Sequence, residues 1–288
     1  MDILITGILL GATYALLAMG LTLQYGVARI MNLANGEMLV AGAFGAFWVV
    51  TVQQLSPYLA LLIVVPVAFV LNWVIYRVLL TPLVRRAKNR GMLEVDSILA
   101  TFGLSFAMVG IMLTVFGGEF FSYSYLAIGV DIFGSAFGLN RIVASLASLL
   151  ICALLYLGIH ATRIGMAIRA VAVDPVAAGL VAIDVPKMSA LAFALGGAVT
   201  AAGGVILSTY LTLDASIGIL FTMKALIIVI MGGVGDIRGA VIAALILGLA
   251  ETAVATLIDP GLTLAAAYGL FVLVLLLRPQ GLFGRRPT

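Results

Sequence analysis

Residues 142–187 read IVASLASLLICALLYLGIHATRIGMAIRAVAVDPVAAGLVAIDVPK. From Ile142 to Ile159 there is no charged side chain. At His160 the pattern breaks, and Arg163, Arg169, Asp174, Asp184 and Lys187 follow. Crossing a bilayer core takes about 20 predominantly apolar residues in a helix, so the first part has the length and character of a membrane span. The second part is too polar and too often interrupted to span, yet too apolar for a solvated linker. One span followed by one ordered-looking segment at a membrane face is the unit from which the rest of the chain is read.

Similar apolar runs fall at about 3–25, 36–54, 58–80, 93–117, 141–159, 186–212, 216–231, 239–258 and 262–278. They predict an all-α integral membrane protein, a bundle of about eight or nine transmembrane helices forming one permease-like domain over residues 1–288. The runs 36–54 and 216–231 are short or interrupted by Gly, which suits broken or re-entrant helices. Composition points the same way. The 288 residues are 64% hydrophobic and 9% charged, and mean hydropathy is +1.27. A soluble domain carries about 25% charged residues, and so little charge does not cover a water-facing surface. The 32 glycines suit close helix packing in lipid. Met1-Asp2-Ile3-Leu4 lacks a basic stretch and a small-residue cleavage site, and is read as opening a first span rather than a removable signal.

The net charge of +3 does not point to nucleic acid, because the basic residues sit in short segments between apolar runs. The segments 26–35, 77–92, 160–187, 232–239 and the tail from Arg278 hold thirteen of the 15 Lys and Arg residues; Arg141 and Lys224 are the exceptions. The positive-inside rule then places the N-terminus outside and the tail in the cytoplasm. Runs one to three and seven to nine share direction and spacing, each set with a Gly-bearing inner loop, Asn32–Gly36 and Gly232–Asp236. That is either a transporter-like internal repeat or the common use of Gly in turns.

Catalytic and metal signatures are missing. There is no Gly-x-x-x-x-Gly-Lys-Ser/Thr loop, no His-Glu-x-x-His and no Gly-x-Ser-x-Gly. One His (His160) and one Cys (Cys152, in an apolar run) make neither a nucleophile–base pair nor a metal site. No cofactor is expected on this chain, and any ATP would be hydrolysed elsewhere. Within 160–187, Asp174 followed by Pro175 reads as an N-cap and first helical residue. A short helix 175–181 would offer Val176, Ala177, Leu180 and Val181 as an apolar face for a protein partner or for lipid.

Polar residues within the apolar runs are the candidates for a path, because they are expensive in lipid. Asn32, Asn35 and Glu37 are expected at the inner mouth, where they line an exit or cap the second span. Asn35 would be the N-cap and Glu37 the first-turn acid. Thr13 and Tyr14 face either the path or a neighbouring helix. Lys224 and Glu251 fall at equal depth on consecutive antiparallel spans and are expected to form a structural ion pair.

Several stretches together resemble the permeases of the branched-chain amino acid ABC importer family. The segment 160–187 carries Gly165, Arg169-Ala170, Asp174-Pro175, Ala177-Ala178 and Ala182-Ile183, similar to that family's coupling loop. The opening Gly11–Leu16 and Leu21–Gly26, the motif Asn32–Glu37, and Lys224, Gly232–Gly235, Gly239-Ala240, Glu251 and Arg278–Gly284 match in the same order. Asn35 stands where the family usually has His, Val173 where a polar residue is common, Ala182 where Gly precedes Ile183, and Asp236 where Thr or Ser is common. The same pattern serves importers of urea, short amides and small organic acids, so these departures bear on substrate.

The resemblance implies a permease in the cytoplasmic membrane of a bacterium or archaeon. It also implies a second permease chain, related or identical, a binding protein outside, and two cytoplasmic ATPase subunits that hold ATP and Mg and grip the coupling loop at Gly165, Arg169, Asp174, Pro175, Ala177, Ala178 and Leu180. A stand-alone secondary transporter or channel would need more charge deep in its spans than Lys224 and Glu251 supply. An intramembrane enzyme would need catalytic groups that are lacking. Cysteines introduced at Ala87 and Glu119 test the orientation: an impermeant thiol reagent added to intact cells should label the second and spare the first, and the reverse pattern would invert the topology.

Overall fold

The computed structural model describes residues 2–87, 89–132 and 135–284. Lys88, Arg285 and Arg286, counted above among the inner basic residues, lie outside the described residues, as does Met1. The chain runs through α1 (Asp2–Ala28), α2 (Asn35–Gln53), α3 (Pro57–Ile75), a π-turn (Tyr76–Leu80), α4 (Thr81–Arg86) and α5 (Arg90–Phe116). A two-stranded antiparallel hairpin follows, β1 (Gly129–Ile132) with β2 (Ser135–Gly138). Then come α6 (Leu139–Ala161), α7 (Arg163–Val173), α8 (Pro175–Leu180), α9 (Val185–Leu207), α10 (Gly218–Gly232), α11 (Ile237–Leu257) and α12 (Thr263–Leu277).

Among the described residues eight helices are long and apolar enough to cross a membrane, the stretch Pro57–Arg86 counting as one, and α10 is a shorter apolar helix. The protein is an all-α multi-pass membrane bundle. The third run extends past residue 80: helix continues through the π-turn to Arg86, so Arg77, Arg85 and Arg86 stand on a helix rather than in a loop. Arg77 lies over the Trp73 ring, 5.3 Å from its centroid, which anchors a cation beside an apolar helix. The sixth run ends early, at Leu207, and the chain from 208 to 217 is not regular helix.

At the centre of the bundle stands α9, packed against α1, α2 and α3. Its sequence VPKMSALAFALGGAVTAAGGVIL is mostly small residues, and almost its whole length is buried. In lipid, helices are not driven together by the hydrophobic effect, so close van der Waals approach through small residues must hold them. A methyl at Gly204 would overlap the Leu39 carbonyl of α2, and one at Gly42 would overlap the Ala201 carbonyl. A methyl at Gly20 of α1 would sit 2.6 Å from the Gly196 carbonyl. By contrast α3, α5 and α12 expose large side chains such as Leu62, Leu99 and Leu276, the faces suited to lipid.

Two helices begin inside the bundle. Asn35, the first residue of α2, is bonded to Thr200, which packs on Gly20 of α1. Gly20 lies eight residues, about 12 Å, before the end of α1. A methyl at Gly36 would overlap the Gly218 carbonyl, and one at Gly218 would sit 3.0 Å from the Glu37 amide nitrogen, so α2 and α10 start against each other. The segment 29–34 therefore climbs back along α1 after it ends.

If α9 is held by these approaches, Gly204→Ala should lower thermal stability by about 1–3 kcal/mol, the range for overpacking a filled core. Gly103→Ala on α5, where a methyl meets nothing within 4 Å, should leave it unchanged. The melting temperatures of the two purified variants in lipid nanodiscs decide this, and equal values would defeat the packing argument.

Candidate functional site

The returning segment 29–34 carries backbone groups that no helix satisfies, and side chains from α5, from α10 and from the segment itself take them up. Asn32 Nδ2 donates to Gln24 Oε1 at 3.0 Å, and Asn32 Oδ1 accepts from the Ala34 amide at 3.1 Å. Thr101 of α5 accepts from the Leu33 amide and donates to the Met31 carbonyl, both at 3.1 Å. Thr222 of α10 accepts from the Gly36 amide at 2.8 Å and lies 3.2 Å from the Leu33 carbonyl. Gln24 Nε2 donates to the Phe193 carbonyl of α9 at 3.1 Å.

Asn32, Asn35 and Glu37 thus sit within the bundle and not at an inner mouth, because the chain turns back before α2 starts. Nor is Asn35 the N-cap. Ala34 occupies that position without a side-chain bond, and Asn35 Oδ1 instead accepts from Thr200 Oγ1 at 3.0 Å. Glu37 is in the first turn of α2, 1% exposed, with Ser105 hydrogen-bonded to its side chain. It stands where the starts of α2 and α10 meet. Each start carries partial positive charge from unpaired amides, which an acid there offsets. Glu37 Oε2 and Asn35 Nδ2 have no partner among the described residues. The supporting Gln24, Thr101, Thr200 and Thr222 escaped the sequence reading; their signal was only a lone polar residue in an apolar helix.

A second polar cluster ties α1, α10 and α11. Lys224 Nζ lies 2.8 Å from Glu251 Oε2 and donates to Tyr14 Oη at 2.6 Å; Tyr14 in turn donates to the same carboxylate oxygen at 2.8 Å. The ammonium is also 4.9 Å from the Tyr14 ring centroid. Thr13 faces its neighbours too, accepting from Tyr210 Oη at 3.1 Å and donating to the Leu10 carbonyl at 2.7 Å. Charges in a low-dielectric interior stay only if paired and hydrogen-bonded. The depth reasoning that put the start of α10 at the outer edge is corrected, since Gly218 packs inside against Gly36.

At the opposite end, α7 and α8 fold onto the bundle. Thr162 caps α7 by accepting from the Gly165 amide at 3.0 Å, and a methyl at Gly165 would overlap the Ile159 backbone. Asp174 caps α8, accepting from the Val176 and Ala177 amides at 2.9 and 3.1 Å, with Pro175 at the first position. Arg169 Nη2 reaches the His160 carbonyl at 3.4 Å. Ala178 is 3% exposed and packs with Leu23, Val27, Ile168 and Ala192, so it faces the bundle. Ala177 and Val176 point outward, and Leu180 is 85% exposed. Ala182 has φ +61°, the left-handed region where Gly is at ease, which explains a Gly preference there. Asp236 caps α11 by accepting from Gly239 at 2.9 Å; Thr or Ser would do the same. Arg29 Nη2 bonds the Ala172 carbonyl at 3.0 Å and joins the returning segment to the end of α7. For the buried pair, Lys224→Met and Glu251→Gln should each destabilise the protein by about 3–5 kcal/mol, the cost of leaving one charge unpaired. The double variant should recover part of that in a thermal-unfolding cycle, and strictly additive losses would show that the pair is not coupled.

The sequence pattern of one protein family, described as branched-chain amino acid transport system / permease component, matches residues 3–277. The high-affinity branched-chain amino acid transport system permease protein BraD of Pseudomonas aeruginosa is 31% identical over 301 residues, covering 98% of this chain and 95% of its own length. The corresponding protein LivH of Salmonella typhimurium is 29% identical over 294 residues, covering 97% and 94%. A probable LivH of Methanocaldococcus jannaschii is 26% identical over 285 residues, covering 93% and 88%. With nearly its whole length matched and its spans in the order that the motifs require, this chain belongs to the family of branched-chain amino acid transport system permease components.

Proposed function

We propose that this chain is the permease subunit of an ATP-driven importer and passes branched-chain or related amino acids by alternating access. It works with a second permease chain, related or identical, and receives substrate from a binding protein outside. ATP and Mg sit on two cytoplasmic ATPase subunits, and the chain itself catalyses nothing. The N-terminus is outside and the tail cytoplasmic. The substrate class rests on the branched-chain amino acid permeases that the chain is similar to; the role rests on the family and on one structural observation.

That observation is the α7–α8 unit. Its inward side, Ile168, Val171 and Ala178, is buried against the ends of α1 and α9. Its outward side presents Val173, Val176, Leu180 and Val181, all more than two-thirds exposed. A short apolar knob held rigidly on a transport bundle suits a docking site for a protein that pushes on it. Arg29, bonded to the end of α7, carries that push to the returning segment and to the start of α2. Ala178 and Gly165 serve this reading by fixing the unit to the bundle, while Ala177, Val176 and Leu180 meet the partner.

Leu180→Glu should therefore leave the membrane protein folded. It should reduce co-purifying ATPase more than tenfold, as removing a central apolar contact by about 2 kcal/mol does. Amino-acid uptake should fall with it. Undiminished co-purification and uptake in this variant would overturn the docking assignment, and absence of any ATPase with the unaltered chain would overturn the importer reading itself.

A further inference from the structure

Between α5 and the hairpin runs a strap, residues 117–128, which lies over the segment that follows α9. Phe121 and Leu213 form an isolated antiparallel bridge: the Phe121 amide donates to the Leu213 carbonyl at 2.8 Å, and the Leu213 amide donates to the Phe121 carbonyl at 2.9 Å. Tyr123 Oη lies 2.7 Å from Ser208 Oγ, whose own proton goes to the Val205 carbonyl, so the tyrosine donates. The Phe121 ring meets Phe44 and Phe47 of α2 edge-on, with centroids 5.2 and 5.0 Å away, and Phe44 stacks on Phe116 of α5 at 4.4 Å. Under this cover Leu213 and Ala215 are 4% and 1% exposed, and three residues after Ala215, Gly218 opens α10 against Gly36. The segment 208–217 thus leads from the strap to the meeting point of two helix starts, where Asn35 Nδ2 and Glu37 Oε2 lack partners among the described residues.

We propose that the strap is the outer gate of the translocation path, and that it opens by swinging with the end of α5 about Gly117-Gly118, away from Leu213 and Ser208. The proposal rests on the permease reading, and on the orientation in which the ends of α2, α5 and α9 face outward. Three features mark the strap as a moving part. Its hold is small and reversible: two backbone bonds, one hydroxyl bond and ring edges, all of which water or a sliding ring can replace. Its hinge is built for backbone freedom. Gly117 has φ +80° and ψ −175°, a conformation that residues with a side chain rarely adopt. A methyl there would meet nothing within 4 Å, and one at Gly118 would come no closer than 4.0 Å to Leu113, so neither glycine serves close packing as Gly204 does. Finally, the helix that carries the strap is loosely held. Only 17% of the apolar stretch of α5 is buried in the protein, against 89% for α9. Lipid replaces what such a helix faces when it tilts, so tilting forfeits little. Hydrogen bonds tie α5 to the interior instead: Glu94 to Tyr25, Thr101 to the returning segment and Ser105 to Glu37. Through Arg29, the returning segment and Thr101, a push on α7 reaches the helix that bears the gate.

The test has two arms, both on the full chain with its one cysteine removed as Cys152→Ala. In lipid nanodiscs, Ala215→Cys places a reporter under the strap, and its labelling by a charged methanethiosulfonate reagent is timed. Tyr123→Phe and Phe121→Ala should each speed labelling severalfold. Neither should change labelling of Ile168→Cys, which is 1% exposed under α7 at the other end of the bundle. Unchanged labelling at Ala215→Cys, or equal acceleration at both reporters, would overturn the gate, the second because it marks general loosening. In cells, Phe121→Cys with Leu213→Cys is cross-linked by copper phenanthroline; hydrogen-bonded antiparallel partners lie about 5.5 Å apart between Cα atoms, within reach of a disulfide. Oxidation should nearly abolish amino-acid uptake, and dithiothreitol should restore it. The same treatment of Asp131→Cys with Ala136→Cys, an exposed pair within the hairpin, should leave uptake unchanged. Tyr123→Cys with Ser208→Cys repeats the lock at the second contact. Full uptake with the strap cross-linked, or equal loss with the hairpin cross-linked, would overturn the proposal. Labelling needs no ATPase, so the gate can fail while ATP-driven uptake stands. If the unaltered chain takes up nothing, the importer reading fails and labelling still judges the strap.

Discussion

Hydrocarbon supplies no hydrogen bonds, so every backbone amide and carbonyl at membrane depth must be satisfied by protein. Most of this structure meets that requirement by being helix. The instructive departure is at 29–34, where the chain leaves α1 and returns upward before α2 begins. Asn32, Thr101 and Thr222 absorb the exposed backbone groups, and Gln24 holds the Asn32 side chain in place. Because these come from α1, the segment itself, α5 and α10, the returning segment exists only when those helices are assembled around it. It is a product of tertiary packing that also creates the meeting point of two helix starts.

That meeting point concentrates charge. Two helix N-termini abut, and Glu37 is the acid placed between them. Farther along the bundle, Lys224, Glu251 and Tyr14 form a compact paired cluster with one oxygen to spare. The small residues of α9 make both arrangements attainable, since they let α1 and α2 approach closely enough for Thr200 to reach Asn35. Bulkier side chains along α9 would separate the helices and leave the same polar groups unpaired in an apolar medium, where each costs several kcal/mol.

The α7–α8 unit and the interior are mechanically continuous. Ala178 is wedged among Leu23, Val27 and Ala192, and Arg29 holds the last turn of α7. Displacement of α8 is transmitted to the end of α1 and to the returning segment by contacts a few residues long. Rigid elements joined in this way are what a bundle needs if a force applied at one face is to rearrange helix starts in its interior.

The membrane class, the approximate spans and the Asp174-Pro175 helix start were legible in the residues alone. Each depends on local properties: run length against bilayer thickness, a side chain that caps the amides just after it, a ring that fixes φ. The equal-depth argument brought Lys224 and Glu251 together because it needed only helix rise and lipid's intolerance of lone charge. It misjudged where α10 begins, since a helix starting inside a bundle looks in sequence like a short span. Asn35, Glu37 and Ala178 show the same boundary from the other side. Their residue types suggested a cap, a first-turn acid at an inner mouth and a docking contact; Glu37 does stand in the first turn of α2, and neighbours far away in the chain decided the rest. Thr200 claims Asn35, Gly218 puts Glu37 between two helices, and α1 with α9 encloses Ala178. Spacing along one chain determines what a residue is able to do; which partner it meets is decided by helices that approach only after folding, at distances set by a few glycines.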